Sequence, residues 1–391
     1  MVRDCNFLHT TTGANPLRFA SRLNSGLSLR FMNVVKATRQ FEEWLGLRTC
    51  LVRADVELKH RSMKEGVFPF LRATYYRWAQ IWPAVCPDLA KAPQVLAVGD
   101  LHVENFGTWR DIEGRLIWGV NDFDEAFPMA YANDLVRLAV SAILAAEGGH
   151  LALSEKNICD SILDGYVASM DGKGRPFVLG EAHTWLRQIA ESELRDPVRF
   201  WQKMDALPTT RQKVPLSALD ALNHLMPQRD VPCRVVERVA GLGSLGHQRF
   251  VAIAEWHGGK IAREAKALVP SGCHWAQDKG PSDILYQTII ANAVRCPDPF
   301  VQLRGHWIVR RLGPHCSRIE LATLRAPGSE LRLLHAMGWE TANIHLGTQT
   351  ARKTILRHLK KQKGKWLHGA ACEMIKAVRD DWAVWRKDGY A

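Results

Sequence analysis

The sequence predicts an α+β protein, with a helix-rich lobe followed by a smaller antiparallel β lobe. Three observations lead to that class. Apolar residues recur at helical spacing from Phe31 to Leu45, from Asn133 to Glu147, over 330–348 and from Gly369 to Lys387. Two-residue alternation concentrates in Arg249–Trp256, which runs into a hairpin turn at His257-Gly-Gly-Lys260. Short apolar runs at 95–98 and 116–120 each lead into an acidic loop. At 391 residues the chain is long enough for two or three units. The expected divisions are an N-terminal arm and helix (1–55), a helical lobe bearing the acidic loops (56–230), a β-rich glycine-loop lobe (231–325), and C-terminal helices with a basic tail (326–391).

Residues 1–30 are rich in Ser, Thr, Asn and Gly without periodicity, and read as a loosely attached arm. After the first helix, Arg72 stands beside the aromatic anchors of Phe68-Pro-Phe70. Its planar fork suits a phosphate, and a buried structural arginine is the other reading. Val95–Val98 reads as a buried strand delivering Gly99-Asp100 into a loop that ends at Asn105. A hairpin-like piece turns at Asp111–Gly114, and Leu116–Val120 then delivers Asp122 and Asp124. Three carboxylates and an amide at the ends of two neighbouring strands suit a divalent metal and a phosphate better than a core. Asn133–Glu147 follows as an amphipathic helix that Asn133 or Asp134 can cap, and Gly148-Gly149 ends it. Residues 151–228 read as mostly helical, with breaks near 196 and 208.

A second motif lies in Val235–Glu255, where Gly241, Gly243, Ser244 and Gly246 form a loop. A dinucleotide fold would need a helix after such a loop. Here a strand follows, the arrangement that covers nucleotide phosphates. The returning strand carries Arg263 and Lys266, and either one can face the phosphates. Trp307–Leu312 is a further strand, and the last helix bears Trp382 and Trp385.

Phosphoryl transfer requires hard oxygen ligands for magnesium and an acceptor that orients the attacking hydroxyl. Gly99-Asp-Leu-His-Val-Glu-Asn105 with Asp122-Phe123 resembles the protein-kinase-like superfamily, particularly the aminoglycoside phosphotransferases. Gly99-Asp-Leu-His-Val-Glu-Asn-Phe-Gly107 with Asn121-Asp-Phe-Asp-Glu125 looks more narrowly like the bacterial domain of unknown function 2252 family, over about residues 55–350. The resemblance implies ATP and Mg2+ as cofactors and Asp100 as the catalytic base. It implies Asn105 and Asp122 as metal ligands, with Asp124 standing where many kinases have glycine. The glycine loop and Lys266 would bind phosphates, Asp134 would support the catalytic loop, Arg310 or Arg311 matches a family arginine of unknown role, and His345 has a family counterpart for which a structural role is preferred. The glycine loop follows the catalytic loop, so the kinase-like lobes stand in permuted order. A substrate hydroxyl on a small molecule or a protein would be the acceptor.

Other chemistries remain open at this stage. Nucleotidyl transfer would use the same parts with the nucleotide reversed. Gly99-Asp-Leu-His102 after a strand also resembles the opening of a metallophosphoesterase, although no later Gly-Asn-His supplies the second set of ligands. A non-catalytic nucleotide or nucleic-acid binder on a degenerate kinase-like fold is the third. Net charge is +12, and residues 351–391 hold eleven Lys/Arg against four acids, so a basic tail could meet nucleic acid. The nine cysteines are scattered, with no Cys-x-x-Cys, which argues for reduced thiols and against a zinc site. No basic-plus-apolar leader and no run of membrane-spanning length is present, so a cytoplasmic protein without membrane contact is expected.

Overall fold

The computed structural model describes residues 32–149, 153–180, 182–190, 196–210, 213–278, 282–316 and 329–389. The arm expected over 1–30 lies outside them. The architecture is mixed α+β with small sheets, and the strand pairings are antiparallel. Four helices come first, α1 (Val34–Gly46), α2 (Arg53–Glu65), α3 (Val67–Ala73) and α4 (Tyr75–Val85). The Asn33 side chain caps α1 by accepting the Lys36 N–H at 2.9 Å. Strands β1 (Gln94–Ala97), β2 (Phe106–Arg110), β3 (Leu116–Val120) and β4 (Phe127–Ala130) surround the acidic loops. Helix α5 (Ala132–Glu147) follows and is buried from Ala132 to Ala145 on every face, more than an amphipathic helix would be. Then come α6 (Glu155–Gly172), β5 (Phe177–Val178), α7 (Thr184–Ala190), α8 (Pro197–Asp205) and α9 (Leu216–His224).

The β lobe is built from β6 (Cys233–Glu237), β7 (Arg249–Trp256) and β8 (Gly259–Ala267), followed by α10 (Gly272–Gln277), α11 (Tyr286–Asn292), β9 (Gln302–Arg304) and β10 (Trp307–Leu312). Its five-stranded sheet has the order β6-β7-β8-β10-β9. One face packs Phe250, Ala252, Ala265, Trp307 and Val309 on Ala218, Ala221 and Leu222 of α9. The other packs Val236, Val251, Ile253 and Leu312 on Met204 of α8. The helical stretch just before the sheet therefore serves as its cover.

Helices α12 (Ser329–His345), α13 (Arg352–Lys361) and α14 (Trp366–Asp388) close the chain. Leu367, Ala371, Met374, Ile375 and Trp385 of α14 belong to the same core as α4 and α5. The basic C-terminal segment is thus an integral helix of the larger lobe. Several of its cations are engaged, Arg379 with Glu147 and Arg352 with the carbonyls of Met170 and Asp171. Among the described residues no helix is long and apolar enough to cross a membrane.

One expectation about the acidic loops needs correction. The strands that deliver Asp100 and Asp122 are not paired neighbours: β1 pairs with β4, whereas β3 sits between β2 and β5. The loops meet because β2 begins directly after Asn105, and the Asn121 N–H continues the β2–β3 ladder by bonding Asn105 O at 3.0 Å.

Candidate active site

The loop after β1 is anchored from beneath. Gly99 has φ +82°, and a Cβ there would stand 2.4 Å from Glu125 O and 2.7 Å from the Tyr75 hydroxyl, so only glycine fits. The N–H groups of Val98 and Gly99 donate to the Asp134 carboxylate at 2.7 and 3.0 Å. Asp134 is in turn bonded by His345 at 3.0 Å, and the other His345 nitrogen meets the Tyr166 hydroxyl. Asp134 therefore holds the loop from the start of α5, and His345 is a fully buried structural group.

Asp100 is fixed by a residue that sequence reasoning missed. Arg137, one turn along α5 from Asp134, donates through Nε at 2.9 Å and through Nη2 to Asp100 Oδ1. The same guanidinium bonds Leu71 O and lies over the rings of Tyr75 and Trp78. Burial pushes the Asp100 carboxyl above its ordinary range, and Arg137 opposes that shift. Oδ2 is turned toward the glycine loop, since a Cβ on Gly243 would stand 3.3 Å from it. Asn105 uses its amide N–H on Asp100 O at 2.5 Å, which leaves its amide oxygen as the candidate metal ligand. His102 accepts the Glu104 N–H at the start of the short turn Val103–Asn105.

Asp122 and Asp124 face each other, and both meet Lys266 Nζ, Asp122 at 3.4 Å and Asp124 more closely. Burial raises both carboxyls; Lys266 then wins at Asp122 and lowers it, while the Asp122 charge raises Asp124 further. Asp124 Oδ1 is buried with no hydrogen-bond donor. Two carboxylates that share one cation, here Lys266 Nζ, are also the hard oxygen ligands a divalent ion takes. Asp100 is not a third member: among the described residues no three-acid group of Asp100, Asp122 and Asp124 has its ligand atoms within 4.8 Å of one another. Glu125 is turned away, accepting the Ser271 hydroxyl at 2.8 Å and the Gly272 N–H at 2.6 Å.

The glycine loop forms the opposite wall. Gly241, with φ +76°, starts a turn in which Gly241 O accepts the Ser244 N–H at 3.2 Å. The N–H of Leu245 is likewise directed to Leu242 O, and that of His247 to Ser244 O, so three loop amides point inward rather than at a ligand. Ser244 Oγ accepts from Arg249 at 2.8 Å. Gly243 brings its backbone against Arg72 O and Asp100, where its carbonyl accepts Lys59 Nζ at 3.1 Å. Gly246 lies off the cleft wall, packed on Val56 and bonded through its carbonyl to the Val52 N–H. Its φ of +98° gives it a turn-forming role in place of the expected phosphate contact.

Strand register separates Lys266 from Arg263. Arg263 points to the α9 face, donating to Leu225 O, while Lys266 points into the cleft. Beside Lys266, the buried Glu264 gathers Arg238, Arg249 and Arg310. Of the two arginines expected at β10, Arg310 joins this cluster and Arg311 bonds Arg110 O; both line the cleft. Arg72 pairs with Glu104 at 2.9 Å on the rim of the same space. Lys59, a buried lysine beside Asp100 and Glu125, was also missed; in sequence it is one of several basic residues in Lys59-His-Arg-Ser-Met-Lys64, and nothing local singles it out. The cleft holds about 620 Å³ and is lined by Asp100, Asn105, Asp122 and Asp124 on one side and by Gly241, Gly243 and Ser244 on the other.

Residues 51–199 match the family model described as "Uncharacterized protein conserved in bacteria (DUF2252)". The matched segment carries Asp100, Asn105, Asp122, Asp124, Asp134 and Arg137, and it ends before the glycine loop. It is narrower than the span of about 55–350 expected from the motifs. No curated protein and no solved structure matches the chain.

Proposed function

We propose that the chain is an ATP- and Mg2+-dependent phosphotransferase, a kinase-like site in permuted order acting on a hydroxyl-bearing acceptor. One observation carries the reading: two motifs more than a hundred residues apart line a single cleft, with Lys266 of the sheet lobe touching Asp122 and Asp124 of the helical lobe. Asp122, Asp124 and the Asn105 amide oxygen would hold magnesium, which would neutralise charge on the phosphates. Lys266 would exchange its acid partners for phosphate oxygens. Asp100 Oδ2 would orient the acceptor hydroxyl and take its proton, with Arg137 fixing the carboxylate in register. The cleft also carries Lys59, Arg295 and Arg311, cations that an anionic nucleotide could meet beside the arginines already paired with Glu264 and Glu104. A metallophosphoesterase reading is less well supported, because no later Gly-Asn-His supplies a second set of ligands and His102 Nδ1 is used to cap a turn.

The test pairs calorimetry with turnover. The wild type should bind ATP only weakly without Mg2+ and transfer its γ-phosphate to an acceptor found by screening. Asp100→Asn should lower turnover by about 10²- to 10⁴-fold while leaving ATP affinity within a few-fold, because the lost group acts on the acceptor side. A variant that turns over at the wild-type rate would remove Asp100 from catalysis. A wild type that binds no nucleotide under any metal condition would end the phosphotransferase reading.

A further inference from the structure

Outside the cleft, two helices distant in sequence bring three ligand-type side chains together. Glu155 opens α6, and His368 and Cys372 lie four residues apart on α14, so the helical pitch stacks them on one face. His368 Nε2 is 3.0 Å from Glu155 Oε2. Cys372 Sγ is 3.6 Å from His368 Nε2 and 3.8 Å from Glu155 Oε2. Among the described residues this is the one group of three His, Cys, Asp or Glu whose ligand atoms all lie within 4.8 Å of one another.

The spacing has a specific meaning. A tetrahedral ion bound at about 2.0–2.1 Å to nitrogen or oxygen and about 2.3 Å to sulfur holds its ligand atoms roughly 3.3–3.6 Å apart. The three separations bracket that range. One thiol, one imidazole and one carboxylate are a mixed soft and borderline set, suited to zinc-class ions and poorly suited to magnesium. Glu155 is exposed and the other two are half-buried, so an ion has a path in from solvent. The geometry points to a site for one divalent transition-metal ion of the zinc class at Glu155, His368 and Cys372, clamping the start of α6 to α14. On binding, the Cys372 thiol gives its proton to solvent and the sulfur–metal bond forms, with no change of oxidation state. Water completes the coordination. Cys159, one turn beyond Glu155, is buried and stands outside this group of three, so it is the control thiol.

The experiment is a titration of the metal-free full-length chain with Co2+, reading the near-ultraviolet thiolate-to-cobalt absorption. One equivalent should develop the band, Zn2+ should displace it, and Mg2+ should not. The chain carries nine cysteines, so variants must assign the sulfur. C372S should abolish the band, and C159S should keep it. H368A and E155Q should each weaken Co2+ binding by about tenfold or more, since even groups that only support a ligand are worth that much. Glu155 is exposed, so E155Q keeps the test valid if a more buried variant fails to fold. A wild type without the band, or a C372S chain that keeps it at unchanged affinity, would reduce the cluster to an ordinary His–Glu hydrogen bond.

Discussion

Glu264 and Glu340 are both buried, yet their surroundings act on them in opposite directions. At Glu264 burial favours the neutral acid, but the guanidiniums of Arg249, Arg310 and Arg238 outweigh it and hold the carboxyl well below the usual range. That stabilisation is present above the unfolded pKa and is lost as pH falls. At Glu340 burial dominates and Arg295 only partly opposes it, so the carboxyl is raised from 4.5 to about 7. Glu125 is likewise raised by burial to about 7. A raised acid has the reverse sign: the folded chain binds the proton more tightly, so stability falls as pH rises from the unfolded value toward about 7. Glu340→Gln should therefore flatten part of that fall, by on the order of 3 kcal/mol between the two limits. Urea unfolding at several pH values from 4.5 to 8 measures it. An unchanged slope would show that Glu340 is ionised in the folded chain without penalty. The glutamine loses one bond, the Asn343 amide that now donates to Oε2 at 2.8 Å, so the slope and not the absolute stability is the readout.

Helices α6 and α12 cross in close contact, and two glycines permit it. A Cβ on Gly338 would stand 2.0 Å from Ile162 O, and one on Gly165 would stand 1.9 Å from His335 O. Each glycine faces the backbone of the other helix, which cannot give way as a flexible side chain could. Gly338→Ala should thus destabilise by about 3 kcal/mol or more even though alanine favours helix. A thermal melt checks it, and a neutral or raised midpoint would mean that the helices slide apart freely. At this scale most of the fold was legible in sequence. The helices near 34–46, 132–147, 329–345 and 366–388 and the β7–β8 hairpin follow from period and turn chemistry. Pairing was not legible: nothing local says that β1 joins β4 instead of β3, or that α8 and α9 cover the sheet. Those choices depend on which apolar faces meet after the chain has turned back.

The cleft is a property of the whole molecule, and its legibility divides along the same line. Asp100, Asn105, Asp122 and Asp124 stood out because a loop after a short strand displays them locally. Arg137, Lys59 and the choice of Lys266 over Arg263 depend on tertiary contacts and sheet register, which no window of sequence contains. Across the cleft the two lobes are joined by Lys59 to Gly243 O, by Lys266 to the two aspartates, and by Ser271 to Glu125. A ligand that bridges these walls binds only the folded chain and must stabilise it by mass action, about 2.7 kcal/mol at a hundred times its Kd. Mg2+-ATP should therefore raise the melting temperature of the wild type, whereas ATP alone should raise it much less. The variants distinguish the two acids. Asp122 is the lowered, ionised member of the pair and Asp124 the raised one, with burial and the Asp122 charge both acting on it. Asp122→Asn removes the charge a cation needs, so its Mg2+-dependent shift should disappear. Asp124→Asn replaces a group that already favours its proton, and should keep a measurable part of the shift. Equal losses would mean that both carboxylates ionise together on an arriving ion, and a larger loss at Asp124 would reverse the assignment. Lys266→Met completes the comparison: it frees the acids from their internal cation but removes the proposed phosphate partner. Mg2+ alone should then bind no worse than in the wild type, while the added stabilisation from ATP should fall. If both fall together, Lys266 is needed to hold the two lobes in register, and its role in the cleft is structural before it is electrostatic.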